Sequence, residues 1–177
     1  MNEFNFKKAL LTIGLSVSFS LIGLGVSKGA PTTGVFGLFF IFPFLFGISV
    51  PLANLNDIGV LKIPKIVFAG LISTGLLNIA VRFSASEFNM YLISAINSSI
   101  LMWIYSKLIG NIRPTFFHYL IVVVVCLFAV GLGLGEVDSK GVPDFYFMVS
   151  LWTSFFTVGL TTSLRTRNKV ANKIHVP

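Results

Sequence analysis

Apolar residues run through this chain in six long blocks separated by short polar breaks, without the wide polar face of a helix half in water. The clearest block is Thr115 to Gly135, TFFHYLIVVVVCLFAVGLGLG, in which His118 is the one side chain able to carry charge. At 1.5 Å per residue, a helix of that length covers the roughly 30 Å hydrocarbon layer of a bilayer. The same reading places spans at about 9–27, 33–53, 63–81, 88–106, 115–135 and 145–164. The pattern therefore predicts an all-α polytopic membrane protein, a bundle of six transmembrane helices with short loops, forming a single domain over residues 1–177.

Polar residues inside the blocks recur at helical spacing. Ser16, Ser20, Gly23 and Ser27 share one face of the first span, as do Gly70, Thr74 and Asn78 in the third. Small residues so aligned let a second helix approach closely, within the chain or in a homo-oligomer. Pro43 in the second span predicts a kink near mid-bilayer, and Pro51 follows near its end. Ser84 to Glu87 fits a capping box opening the fourth span, and Pro114 fits the first position of the fifth. Asn97, flanked by Ser94 and Ser98, lies at mid-span; an amide in hydrocarbon needs a partner, so it faces another helix or a wet cavity. The sixth span has the most polar stripe, Ser150, Thr153, Ser154, Thr157 and Thr161, whose hydroxyls can bond to their own helix. Gly131, Gly133 and Gly135 alternate like a channel filter but follow no pore helix and lead straight to an acidic loop.

Composition agrees: 55% of residues are hydrophobic and 11% charged, leaving no stretch able to form a separate soluble domain. The net charge of +7 is distributed unevenly. With both termini on one side of six spans, that side holds ten of the thirteen basic residues: Lys7, Lys8, Lys62, Lys65, Lys107, Arg113, Arg165, Arg167, Lys169 and Lys173. The other side holds Lys28, Arg82 and Lys140 together with four of the six acids, Glu87, Glu136, Asp138 and Asp144. The positive-inside rule then puts both termini in the cytoplasm of a bacterial cell, the protein lying in the inner membrane. Anionic headgroups account for the basic residues without invoking nucleic acid. Tyr91, Tyr105, Tyr119 and Tyr146 fall near predicted span ends, where amphipathic rings settle. Lys7 and Lys8 before an apolar run resemble a signal peptide, but the run is long and Lys28 occupies a position that cleavage requires to be small, so a retained first span is expected.

No reactive group stands at depth. Every Asp and Glu lies at a span end or in a loop, and neither a zinc-helix motif nor a nucleophile turn is present. Cys126 reads as packing and His118 as an interfacial histidine, so no catalytic, metal or cofactor residue is assigned. The expectation is a non-enzymatic sensor or anchoring subunit, in envelope or phage defence, that docks a cytosolic partner or lipid through Arg165, Arg167, Lys169 and Lys173. The alternative is a channel or carrier for a small neutral solute, its pathway lined by Asn97 and the stripe Ser150, Thr153, Ser154, Thr157 and Thr161.

Overall fold

The computed structural model describes residues 4–29, 41–83, 86–136 and 144–165. Among these are six α-helices and no strand: α1 (Phe6–Gly29), α2 (Phe42–Ala53), α3 (Ile63–Phe83), α4 (Glu87–Leu108), α5 (Phe116–Gly135) and α6 (Phe145–Thr161). Two short 3₁₀ turns, Leu55–Asp57 and Val60–Lys62, join α2 to α3. Each helix packs on its neighbours in the chain, α1 closes onto α6, and α3 touches α6 across the middle. The result is a closed ring.

Three helical stretches are long and apolar enough to cross a membrane: Phe6–Val26, Val60–Leu77 and Phe116–Gly135. Phe44–Ala53 and Tyr146–Thr161 are apolar but shorter, and α4 is lowered in hydropathy by Asn89, Asn97 and its serines. The described residues are thus all-helical, and the three long apolar helices fit a membrane protein.

The chain-level expectations meet several local corrections. The cap of α4 is Ser86, whose hydroxyl accepts from the Asn89 N–H at 3.4 Å, so Glu87 is the first helical residue and not the partner in a box begun at Ser84. Pro114 precedes the Thr115 cap of α5 instead of occupying its first turn. Pro43 stands at the start of the described part of α2, where its missing N–H costs little; the expected kink falls toward residues 33–40, outside the described residues. Helix α6 ends at Thr161, earlier than expected, because Thr162, Ser163 and Leu164 donate to carbonyls three residues back and tighten the last turn. Asp144 caps the other end of α6, accepting from the Phe147 N–H at 3.0 Å.

Glycine sets the closest helix crossings. A methyl group on Gly70 of α3 would lie 2.7 Å from the Gly47 Cα of α2, and one on Gly133 of α5 would lie 2.5 Å from the Met148 Cβ of α6. Neither crossing tolerates a side chain. Between them the core is aromatic: Trp152 stacks on Phe156 with centroids 5.5 Å apart, and Phe46 and Tyr105 meet Phe156 edge-on at 5.9 and 6.0 Å. Outward faces are apolar too, with Leu10, Leu21, Phe68, Ile72, Ile96, Ile100, Val124 and Phe128 exposed.

Candidate functional site

The polar side chains of the interior find partners on facing helices. Ser16 and Ser20 of α1 lie 2.8 Å from the hydroxyls of Thr157 and Thr153 of α6. Thr157 also bonds to the Thr153 carbonyl at 2.9 Å, and Thr153 to the Ser150 carbonyl at 3.0 Å. A hydroxyl has one proton, and each threonine gives it to its own helix, so the α1 serines must be the donors across the seam. Ser154 bonds to the Ser150 carbonyl and Thr161 to the Val158 carbonyl, while Ser150 is buried beside them. The stripe expected from spacing is therefore real, and its two central threonines are joined to α1.

Asn97 is buried and tied to α3, accepting from the Ser73 hydroxyl at 2.8 Å and donating to the Ser73 carbonyl at 3.0 Å. Interhelical bonding is what the amide does here. The Trp152 indole donates to Ser94 at 2.7 Å, linking α6 to α4. The small-residue face of α1 is used within the chain, since Ser16, Ser20 and Gly23 are all buried. The side chains of Ser27, Pro43 and Asn78 lie outside the described set.

Spacing did not reveal a second polar group near one end of the bundle. Asn54, just after α2, donates to the Val50 carbonyl at 2.9 Å and to the Thr12 hydroxyl at 3.4 Å, and accepts from the Asn111 amide at 3.1 Å. All three residues are buried. Asn54 read as part of a turn because Asn56, Asp57 and Gly59 follow it; its one signal was its place directly after an apolar block. Main-chain bonds reinforce the junction: Asn5 N–H to the Leu164 carbonyl, Arg113 N–H to the Ser163 carbonyl and Arg165 N–H to the Asn111 carbonyl. The start of α1, the end of α2, the α4–α5 connection and the end of α6 thus meet at one end, and successive helices run in alternating directions.

That end is cationic. Lys7, Lys62, Lys65, Lys107 and Arg113 are exposed there, and Lys8 and Arg165 are half-buried. Glu87 and Glu136, with the half-buried Asp144, mark the opposite end. Arg165 is held by the fold: its Nη1 donates to the carbonyls of Thr162 and Leu164 at 3.0 and 3.2 Å, and its Nη2 lies 3.3 Å from His118 Nε2. The His118 Nδ1 accepts from the Thr115 N–H at 3.0 Å, which puts the proton of the neutral ring on Nε2, so Arg165 Nη2 is a neighbouring charge and not a hydrogen-bond partner of the ring. His118 is thus a capping residue at the start of α5. Arg167, Lys169 and Lys173 lie outside the described residues.

Tyr105 departs from expectation. It stands within a turn of the end of α4, as expected, but it is fully buried against Phe156, and its hydroxyl has no hydrogen-bond partner among the described residues. The reason is helical phase: Ser94, Ser98, Leu101 and Tyr105 form one buried face of α4. Among the described residues no three His, Cys, Asp or Glu side chains gather as metal ligands. No protein-family model, curated protein or solved structure matches this chain.

Proposed function

We propose that the chain crosses the bacterial inner membrane six times with both termini in the cytoplasm, as a non-enzymatic sensor or anchoring subunit that docks a cytosolic partner on its basic end. One observation carries this reading: four separate stretches of chain are bonded together at one end, and seven cations converge there. Exposed apolar side chains around the ring fit lipid contact, because so much continuous apolar surface is unfavourable in water. The cationic end then faces the anionic inner leaflet and the cytosol.

A route for a small neutral solute has less support. The central threonines of the α6 stripe are bonded to α1, Asn97 is bonded to α3, and aromatic rings fill the space between.

The test is capture from mild detergent. The tagged chain is expected to retain a cytosolic protein, and Arg167→Gln with Lys169→Gln and Lys173→Gln is expected to reduce capture about tenfold or more, since several charge contacts act together. Undiminished capture by the triple variant would remove the docking role from the tail.

A further inference from the structure

Where α6 ends, three short segments close around Arg165. Phe4 pairs with Arg165 and Ile112 with Leu164 in antiparallel bridges, and the Arg113 N–H donates to the Ser163 carbonyl at 3.1 Å. Ile112 and Leu164 point inward and are buried. Arg113 and Arg165 occupy diagonal positions of this pairing, a separation that long side chains can span. Arg113 is exposed, whereas Arg165 is fixed by its Nη1 bonds to two carbonyls. Those bonds leave the Nε–H and the Nη2–H groups of Arg165 without a described acceptor. This is the planar fork that meets a phosphate with two parallel bonds.

The surroundings identify which phosphate. Phe4, Phe6, Phe116 and Phe117 are 47%, 67%, 77% and 71% exposed, and the last two meet edge-on with centroids 6.2 Å apart. Exposed rings on the chain segments that meet the two arginines match a ligand that is anionic at one point and apolar next to it. Aromatic side chains also settle at the boundary between headgroups and acyl chains.

We infer that the corner formed by Arg113, Arg165 and these four phenylalanines holds the phosphate of an anionic phospholipid. The inference rests on membrane residence in the reading above and is independent of any cytosolic partner.

The experiment is native mass spectrometry of the purified chain in mild detergent, titrated with phosphatidylglycerol or phosphatidylcholine. Discrete phosphatidylglycerol adducts are expected, retained about tenfold better than phosphatidylcholine. Arg113→Gln with Arg165→Gln is expected to lower that retention about tenfold, while Lys62→Gln with Lys65→Gln, the same change in charge elsewhere on this end, changes it less than about twofold. Because Arg165 also braces the fold, Arg113→Gln alone is measured beside it; a loss of about threefold at an unchanged melting temperature is expected. Equal retention of the two lipids, equal losses in the two paired variants, or displacement of the lipid by millimolar inorganic phosphate would each overturn the assignment. Release of the chain from membranes by alkaline carbonate would instead defeat membrane residence itself.

Discussion

Helix α6 is held by two neighbours in different ways. Against α1 it presents hydroxyls, and the seam is made of serine-to-threonine bonds at Ser16–Thr157 and Ser20–Thr153. Against α5 it presents surface shape: Met148 fills the space left by Gly133, and Gly159 admits Val122, whose Cα would lie 3.0 Å from an added methyl. In lipid, apolar side chains gain little by leaving the solvent, so helices associate through close packing and through bonds between polar groups. This one helix uses each device on a different side. Packing is intolerant of added volume; hydrogen bonding is tolerant of losing a single member, provided no buried donor is stranded.

The largest effect is expected on the packed side. Gly133→Val places carbon atoms inside the contact distance of Met148 Cβ, Cγ and Cα, and those atoms are near the backbone with little freedom to yield. Overpacking of this kind costs about 3 kcal/mol. Unfolding by sodium dodecyl sulfate in mixed micelles measures it, with Gly14→Ala as the control, since nothing lies within 4 Å of a methyl placed there. If both variants unfold alike, the α5–α6 crossing is not as tight as its geometry implies.

The hydrogen-bonded side should lose less. In Ser16→Ala with Ser20→Ala, the threonines keep their bonds to the Thr153 and Ser150 carbonyls, so no buried hydroxyl is left without a partner. Bonds between helices in membranes average about 0.6 kcal/mol, so the pair is expected to cost about 1 kcal/mol in the same assay. Loss as large as that of Gly133→Val would show that the seam, not the packing, holds α6 in place.

These differences also explain what was legible beforehand. The four- and three-residue spacing of Ser16, Ser20 and Gly23 exposed a contact face, and the stripe on α6 exposed another, because helical phase is a local property. That the two faces meet each other depends on the ring closing α1 onto α6, which no local pattern encodes. The early end of α6 has the same origin: the Arg165 N–H reaches the Asn111 carbonyl, a bond between residues far apart in the chain. Asn54 and Asn111 escaped notice for that reason as well, each reading as a loop residue until the other was placed beside it. Tyr105 differs: its place near the end of α4 is legible from distance along the chain, while its burial follows from its phase with Ser94, Ser98 and Leu101, which is also present in the sequence.

Tyr105 supplies the smallest effect and the sharpest contrast with the seam. Its oxygen lies at the Gly47–Gly70 crossing, 3.0 Å from where a methyl on Gly70 would stand, and it is buried with no partner among the described residues. The ring contributes packing against Phe156, while the hydroxyl is buried without a described partner. Leaving a buried polar group unbonded costs about 1–3 kcal/mol, and removing it with its shape preserved recovers part of that cost. Tyr105→Phe is therefore expected to be neutral or to stabilise the chain by up to about 1 kcal/mol, opposite in sign to loss of the α1 serines. The same detergent titration reads both. A loss above about 1 kcal/mol would mean that the hydroxyl is bonded after all, and that the α2–α3 crossing combines packing with a polar tie as the two sides of α6 do separately.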